Sequence, residues 1–264
     1  MSSDLVLTDV DRRGIATVTI NRAEVNNAYN GDMIQGFLSA FGQIAKDPQA
    51  RVVVLRGKGK HFQAGADLKW IMSLKASDWE ANLAVSQATT DAVRGLNEFS
   101  KPTIALIHGG CFGGGVGIAS SCDIVIASED AFFAITEAKW GLMAAPIYPQ
   151  LIARLGVANT RRYSLTCERF NAQKALEIGL VDEVCATGKL DETAAPLIDQ
   201  LLDCPPNALA ESKASILECA GLIIDDARAA DLAEPHARKR LTDEATEGLN
   251  SFIEKRSPSW RPAP

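Results

Sequence analysis

The chain has 264 residues, of which 47% are hydrophobic and 23% charged, and its formal net charge is −6. This length suffices for one large domain or for a core with a helical appendage, and the composition is that of a globular protein. The acidic balance argues against nucleic-acid binding as the main function, and no apolar run approaches the roughly 20 residues of a membrane span. The first fourteen residues resemble neither a signal peptide nor a transit peptide, so we expect a cytoplasmic protein.

Hydrophobic spacing predicts most of the secondary structure. Short apolar or alternating runs mark strands, which we expect at residues 5–8, 15–20, 52–56, 103–107, 124–127 and 180–184. Helical spacing bounded by caps, glycine or proline marks helices, which we expect at residues 31–45, 78–99, 115–121, 159–166 and 172–178. From about residue 192 onward the chain is predicted to be helical, with one clear amphipathic stretch at 226–241. The recurring order of strand, turn and helix suits either the coils of a superhelix or an α/β layer.

The most distinctive stretch is KPTIALIHGGCFGGGVGIASSCDIVIAS (101–128), in which a predicted strand runs through a glycine-rich turn into a buried helix. The first N–H groups of a helix have no intrahelical partner and lie at the positive end of its dipole, so such a turn can hold developing negative charge. Taken alone, the glycine run is better explained as a tight core turn. The segment HFQAGADLKW (61–70) again places small residues after a strand and ahead of Asp67, a predicted helix cap. Two such turns can supply two converging N–H donors.

Other common catalytic motifs are missing from the sequence. The glycine run lacks the context of a GxGxxG fingerprint, and there is no GxxxxGK[ST] phosphate loop or GxSxG elbow. The three histidines and six cysteines lack metal-site spacing, so we expect no metal. We expect the cysteines to be reduced and buried, and Cys111, inside the glycine turn, is the one candidate for a position near a ligand.

Five segments in combination resemble the enoyl-CoA hydratase/isomerase (crotonase) superfamily: NRAEVNNAYN (21–30), HFQAGADLKW (61–70), the glycine stretch (101–128), FAITEAKWGL (133–142) and FNAQKALEIGLVDEV (170–184). The ending EGLNSFIEKRSPSW is similar too, and the likeness covers nearly the whole chain in order. It implies an α/β fold of the ClpP/crotonase-like kind. In that fold a ββα superhelix over residues 1–190 holds the acyl-CoA site, and a helical region over residues 191–264 serves trimerisation.

The same resemblance implies an acyl-CoA thioester substrate, with coenzyme A as part of the substrate and no separate cofactor. It implies homotrimers, which in this family often pair into hexamers, and neither nucleic-acid nor membrane partners. By motif position, the backbone N–H groups of Ala66 and Gly114 would form the oxyanion hole that polarises the thioester carbonyl.

Glu137, in FAITEAKWGL, matches the second of two glutamates that hydratases of this family usually carry. An isolated glutamate is normally a solvated surface residue, but this motif position reverses that expectation. In an apolar setting its pKa would rise enough to deliver a proton at neutral pH. Gly117 stands where the first glutamate is expected, which argues against simple two-glutamate hydration of crotonyl-CoA.

Two enzymatic interpretations follow. In one, Glu137 alone shuttles a proton between carbons, as in a Δ3,Δ2-enoyl-CoA isomerase. The other, which local resemblance favours, is a hydratase close to the bacterial 3-methylglutaconyl-CoA and isohexenylglutaconyl-CoA hydratase group of leucine and acyclic terpene catabolism. Glycine can replace the first glutamate there, and the substrates carry a second carboxylate. We expect that carboxylate, or a water held by other groups, to replace part of the missing base. A thioester hydrolase or dehalogenase would need a nucleophile that we do not identify, and a non-catalytic binding protein is disfavoured because the catalytic positions are intact.

The resemblance also implies a set of contacts with substrate and coenzyme A. The matching residues are Arg22, Ala64, Gly65, Ala66, Asp67, Leu68, Gly113, Gly114, Tyr148, Phe252 and Lys255. The phosphates of coenzyme A favour Arg22 as a ligand, whereas Lys255 is equally well explained as a solvated lysine at a helix end. Met143, Ile147 and Tyr148 would reshape the acyl pocket for a longer chain, or are ordinary packing residues.

Overall fold

The computed structural model describes residues 5–262 of the chain. The strands are β1 (Val6–Val10), β2 (Ile15–Ile20), β3 (Val52–Gly57), β4 (Thr103–Ile107), β5 (Gly110–Phe112), β6 (Ile124–Ser128), β7 (Phe132–Ala134), β8 (Phe170–Asn171) and β9 (Glu183–Cys185). The α-helices are α1 (Gly31–Lys46), α2 (Leu68–Ser73), α3 (Trp79–Asn97), α4 (Gly114–Ser121), α5 (Tyr148–Thr166), α6 (Ala172–Glu177), α7 (Leu190–Asp203), α8 (Pro206–Cys219), α9 (Asp226–Arg240) and α10 (Asp243–Ile253). Single 3₁₀ turns lie at Ala23–Val25, Leu74–Ala76, Glu137–Trp140 and Ala145–Ile147.

The strands form two sheets, and the chain spirals from one to the other. The larger sheet has the order β1-β2-β3-β4-β6-β9 and is parallel except for the β1–β2 pair. The smaller sheet has the order β5-β7-β8. The units β4–β5–α4 and β6–β7–α5 each place one strand in each sheet before a helix. This repetition is a superhelix of ββα turns, and it places the glycine turn after β4 against the turn 61–67 after β3.

The central strands β3, β4 and β6 of the larger sheet are buried on both faces, as their continuous apolar runs predict. On β3, Val53 and Leu55 pack in the main core against α1 and α3. The alternate residues Val52 and Val54 pack in a second core with Ile198 of α7. The period of two along the strand therefore divides its side chains between two helical layers.

Most expected elements are present, and the differences have local causes. The expected strand at 180–184 is instead Glu183–Cys185, because residues 180–182 form a turn in which Leu180 and Val181 donate to the Ala175 carbonyl. The expected helix at 159–166 is the second part of α5, which breaks at Gly156 with φ of +69°. Strand β5 lies inside the glycine turn, and the helix after it begins at Gly114.

The C-terminal helices pack back on the superhelix rather than forming a detached appendage. Helix α9 lies along α3, where Leu232 packs in a small core with Ile224, and Arg94 of α3 donates to the Ile224 carbonyl oxygen at 3.0 Å. In contrast, α8 buries no residue.

The division at residue 190 stays a prediction, and residues 1–4 and 263–264 of the two expected regions lie outside the described residues. Over residues 5–262, no helix is long and apolar enough to span a membrane.

All six cysteines are free thiols, but they do not share one environment. Cys111 and Cys122 are buried, whereas Cys204 and Cys219 are exposed. The expectation of uniform burial is therefore wrong for the last two, because the end of α7 and the whole of α8 lie at the surface.

Candidate active site

Two cavities meet beneath the glycine turn. The first is a narrow apolar pocket of about 60 Å³, lined by side chains of α1, α3, α4 and the segment 143–147. The second is a wider cleft of about 710 Å³ between the turn 64–68, the glycine turn and the chain end at 252–253. Tyr29, Glu137 and His236 line both cavities. The junction at these three residues is where a ligand in the cleft reaches the apolar pocket.

Glu137 is the carboxylate at this junction. It begins the 3₁₀ turn Glu137–Trp140 directly after β7, and its Oε1 atom faces Gly113, where an added Cβ would lie 2.9 Å from it. Its Oε2 atom is buried and accepts no hydrogen bond from the residues that the structure describes. Burial raises the pKa of Glu137 to about 7, although its own N–H and that of Thr136 oppose the shift. The group is therefore poised to give or take a proton near neutral pH.

The backbone N–H of Ala66 is directed away from its protein neighbours. Ala66 forms a parallel bridge with Tyr29, in which the Tyr29 N–H donates to Gly65 O at 2.9 Å and the Asp67 N–H donates to Tyr29 O at 2.8 Å. These two bonds use the peptide groups on either side of Ala66, so its own N–H points to the opposite side. Across residues 5–262 this N–H has no protein acceptor, and Ala66 lines the cleft.

The N–H of Gly114 has no acceptor among residues 5–262, for a different reason. Gly114 is the first residue of α4, where N–H groups have no intrahelical acceptor. Its neighbour Gly113 donates instead to Ala134 O at 2.9 Å, in a conformation with φ of +51° that favours glycine. Gly114 lines the apolar pocket, and a Cβ there would lie 2.7 Å from the Tyr29 ring. The small residue lets the Tyr29 ring approach the backbone.

The structure brings the two glycine turns side by side. Phe112 N–H donates to Gln63 O at 2.9 Å, and Gln63 forms an isolated parallel bridge with Cys111. A Cβ on Gly65 would lie 3.3 Å from Phe112 O. The two turns are therefore adjacent, while the convergence of the Ala66 and Gly114 N–H groups and their function as paired donors stay predictions.

Gly117 shows why a second carboxylate is missing. This residue is buried in α4, one turn after Gly113. A Cβ at this position would lie 2.8 Å from Ile147 Cβ and closer still to Ile147 Cγ2. The space that a glutamate side chain would need is thus occupied by hydrocarbon from the turn Ala145–Ile147.

Several polar groups at the site were not identified from sequence. Gln63 lines the apolar pocket, where its Oε1 accepts the Gly65 N–H at 3.0 Å and its buried Nε2 has no partner among the described residues. Tyr29 has its pKa raised by burial and by the charge of Glu137. His236 and Arg240 come from α9. For Tyr29, the sequence offered one signal of a site position, its place in the NRAEVNNAYN segment. The α9 residues gave no such signal, because their spacing is that of an ordinary amphipathic helix.

The other predicted binding residues occupy unequal positions. Those that line the cleft are Ala64, Ala66, Asp67, Leu68, Gly113 and Phe252. Gly65 lies beneath them against Phe112 O. The Arg22 guanidinium donates to Ala28 O at 2.7 Å and pairs with Asp67 at 2.9 Å. Tyr148 and the exposed Lys255 are not among the residues lining the two cavities.

The candidate cysteine in the glycine turn is not at the site. Cys111 is completely buried in the main core, and burial raises the pKa of its thiol well above the usual range. Its expected position near a ligand is therefore wrong, because β5 turns this side chain inward. Cys167 lines the cleft instead.

Comparison with known proteins agrees with this geometry. Residues 11–263 match the family model for enoyl-CoA hydratase/isomerase. The chain is 33% identical over 244 residues to the short-chain-enoyl-CoA hydratase of Clostridium acetobutylicum, covering 92% of each protein. It is 29% identical over 252 residues to the peroxisomal Δ3,5-Δ2,4-dienoyl-CoA isomerase of Arabidopsis thaliana, covering 91% of this chain and 90% of the relative. An enoyl-CoA hydratase structure from Mycobacterium avium superimposes with a TM-score of 0.86 at 33% identity, over 97% of this chain and 99% of that one. The expected superfamily and fold are confirmed: the chain belongs to the enoyl-CoA hydratase/isomerase family and has the crotonase fold.

Proposed function

We propose that this protein is an enoyl-CoA hydratase that adds water to a 3-substituted glutaconyl-CoA thioester, as required in leucine or acyclic terpene catabolism. The observation that carries the proposal is the forked cavity at Glu137. One branch is an apolar pocket with Met33, Ile34 and Phe37 in its wall, and the other is the cleft, which contains the buried side chain of Arg240. A 3-substituted glutaconyl group forks at its third carbon in the same way, into an alkyl substituent and a carboxymethyl group.

The chemistry follows from the two turns and the single acid. The N–H groups of Ala66 and Gly114 hold the thioester oxygen and stabilise its negative charge when the neighbouring carbons react. Water forms a bond to C3, the C2=C3 electron pair moves toward the thioester, and protonated Glu137 delivers its proton to C2. The proton lost by the water passes to the substrate carboxylate or to solvent, and Glu137 is reprotonated before the next turnover.

Because residue 117 has no carboxylate, other groups must hold and orient the attacking water. The unpartnered Gln63 Nε2 and Glu137 Oε2 are a donor and an acceptor without protein partners in the described part of the chain. Buried polar atoms of this kind are usually satisfied by water or ligand. Together with the substrate carboxylate they supply part of what the first glutamate supplies in other hydratases.

Coenzyme A would occupy the cleft. Lys69, Lys139 and Arg169 contribute positive charge to its lining, which suits the phosphates of the nucleotide. Arg22 would act indirectly through Asp67, which caps α2. Lys255, exposed just after the cleft-lining residues 252–253, would close over the nucleotide with Phe252. We further propose that the protein is a cytoplasmic homotrimer or hexamer that uses no cofactor and binds neither nucleic acid nor membrane. Tyr148 would lie behind the acyl pocket.

A Δ3,Δ2-enoyl-CoA isomerase is the second candidate. It is favoured by the single carboxylate at the junction and by the filling of the Gly117 site with Ile147. Such an enzyme needs only one group that takes a proton from C2 and returns it at C4, and Glu137 has the required pKa of about 7.

Incubation of the purified protein with four thioesters separates these functions: 3-methylglutaconyl-CoA, isohexenylglutaconyl-CoA, crotonyl-CoA and a 3-enoyl-CoA. We expect a mass gain of one water on the glutaconyl thioesters and little on crotonyl-CoA. A double-bond shift without mass change on the 3-enoyl thioester, and no hydration of the others, would establish the isomerase instead. A glutaconyl analogue without its carboxylate should lose kcat as well as binding.

A further inference from the structure

Arg240 is a buried cation that has no carboxylate partner in the described part of the chain. Its residue is 4% exposed, the most buried of the Asp, Glu, Lys and Arg residues that the structure describes. No acidic side chain lies within ion-pair distance of it in residues 5–262, whereas the more exposed Arg94 has two such partners and Arg154 has one. Burial of an isolated charge is costly, so buried guanidinium groups normally have an anion or a full set of acceptors.

The acceptors around Arg240 are neutral and do not use all of its N–H groups. Its Nε donates to Asn82 Oδ1 at 3.0 Å, and its Nη2 donates to Asn82 O at 2.8 Å and to Ser86 Oγ at 2.9 Å. These three bonds fix the plane of the guanidinium against α3. Its Nη1 has two N–H groups and meets only the His236 ring, with Nδ1 at 3.2 Å. At least one N–H of Nη1 is therefore without an acceptor in the described residues.

The His236 ring lies beside the Arg240 guanidinium and can donate a hydrogen bond while staying neutral. Its Nδ1 lies 3.0 Å from Ser86 Oγ and 3.2 Å from Arg240 Nη1. Ser86 Oγ already accepts from Arg240 Nη2, so its hydroxyl proton is available to Nδ1, and this arrangement favours a ring proton on Nε2. Burial first, and the nearby Arg240 charge second, hold the pKa of His236 well below its usual range, which agrees with a neutral ring.

This cluster lies beside the reacting centre rather than in a remote part of the core. Arg240 and His236 both line the cleft, and His236 also lines the apolar pocket. The charge of Arg240 lowers the pKa of Tyr29, while that of Glu137 raises it, so the tyrosine feels both groups. An anion that entered from the cleft would meet the free edge of the guanidinium close to the point where the acyl group forks.

We propose that Arg240, oriented by Asn82 and Ser86 and flanked by His236, binds the carboxylate of the second acyl branch. The Nη1 N–H of Arg240 and the Nε2 N–H of His236 would donate to the two carboxylate oxygens. The alkyl branch then enters the apolar pocket, and the alkene is held in one orientation relative to Glu137. This inference rests on the proposed function for the identity of the substrate, but binding of the carboxylate does not require turnover.

Saturated thioesters test the inference without catalysis. We would measure Kd by calorimetry for 3-methylglutaryl-CoA and for 3-methylpentanoyl-CoA, which differ only in carboxylate against methyl. Wild-type protein should bind the carboxylate about 10- to 100-fold more tightly, as expected for a charge-assisted hydrogen bond. Arg240→Met should abolish this preference by weakening the glutaryl thioester. Arg238→Met is the matched control, because Arg238 is exposed on the same helix and pairs with Glu234, and it should leave the preference unchanged.

Two outcomes would overturn the inference: equal affinities in wild-type protein, or a preference that persists in folded Arg240→Met. If that variant does not fold, a crystal structure of wild-type protein with 3-methylglutaryl-CoA decides, since a carboxylate away from Arg240 Nη1 excludes the assignment. Failure of the proposed function is a separate result. Absence of glutaconyl hydration together with an Arg240-dependent preference would retain the carboxylate site and replace only the reaction.

Discussion

Gly113 and Gly117 lie one helical turn apart at the start of α4, and each lacks a side chain for a different neighbour. At Gly113 an added Cβ would meet Glu137 Oε1 at 2.9 Å, whereas at Gly117 it would meet Ile147 Cβ at 2.8 Å. One face of a short helix thus has a carboxylate at its N-terminal end and hydrocarbon a turn later. The difference shows that a carboxylate lies near Gly113 and an aliphatic side chain lies near Gly117.

The contrast also explains the choice of substrate that we propose. A second glutamate at 117 would require removal of Ile147, which lines the apolar pocket. The protein therefore has an apolar acyl wall where a two-glutamate site would have its second carboxylate. A substrate with its own carboxylate, or a reaction that needs only one base, fits such a site.

Replacing the acid should have the largest effect. Glu137→Gln keeps the side-chain volume but removes the proton donor, and loss of a general acid typically lowers kcat by about 10²- to 10⁴-fold. Because the acid form is active in hydration, wild-type kcat/KM should fall as pH rises through about 7, the pKa of Glu137. The check is the rate on a glutaconyl thioester from pH 5.5 to 8.5.

Glu129→Gln is the matched control, since Glu129 is exposed in the loop between β6 and β7. It should leave the rate and its pH profile unchanged. A wild-type kcat/KM that falls instead as pH drops through 7 would mean that Glu137 acts as a base, as in the isomerase. Near-normal turnover by Glu137→Gln would remove the carboxylate from the mechanism altogether.

The ionisation of Glu137 should also affect how the free energy of unfolding depends on pH. The pKa of Glu137 rises from 4.5 to about 7 on folding. Between these values the folded protein binds more protons than the unfolded chain, so its stability should fall as pH rises, by up to about 3 kcal/mol in all. Glu137→Gln should remove this decrease. The measurement is the free energy of unfolding in urea at pH 4.5, 6 and 8, and an identical slope in both proteins would contradict the assigned pKa.

Substitutions that change side-chain volume test the contact between Gly117 and Ile147. Gly117→Ala should lower the free energy of unfolding by about 1–3 kcal/mol, because its methyl group overlaps Ile147. In an Ile147→Gly background the same substitution should stabilise the protein, since alanine is the better helix former by about 1 kcal/mol. Gly42→Ala in α1, where nothing lies within 4 Å, is the control and should also stabilise. Equal effects of Gly117→Ala in both backgrounds would show that Ile147 does not fill the site.

The sequence identified the carboxylate Glu137 but not the packing of Ile147 on Gly117. Glu137 and the two glycine turns were identified because their motifs are contiguous in the chain. The contact between Gly117 and Ile147 joins segments 30 positions apart, and no spacing or propensity encodes it. The absence of the first glutamate was therefore visible from sequence, while its physical reason was not.

Local pattern also misassigned some structural elements. Strand β5 consists of three residues in a glycine run, and its conformation comes from pairing with β7 rather than from β-propensity. Arg240 and His236 are four residues apart on α9, so from sequence they resemble a solvated helical face. Their burial depends on how α9 lies on α3, which is a tertiary property. Buried polar clusters of this kind are missed by hydrophobic patterning in general.

The apolar branch should set the preferred length of the alkyl substituent. Ala92 of α3 lines the pocket, and Ala92→Leu would fill part of the volume that a longer chain needs. We expect kcat/KM for isohexenylglutaconyl-CoA to fall about 10-fold relative to 3-methylglutaconyl-CoA, since each displaced methylene is worth about 1–3 kcal/mol and the pocket can partly adapt. Ala84→Leu, exposed on the same helix, should leave the ratio unchanged. If both thioesters lose activity equally, the alkyl chain does not enter this pocket, and the Gly117 side of the junction would have a packing role alone.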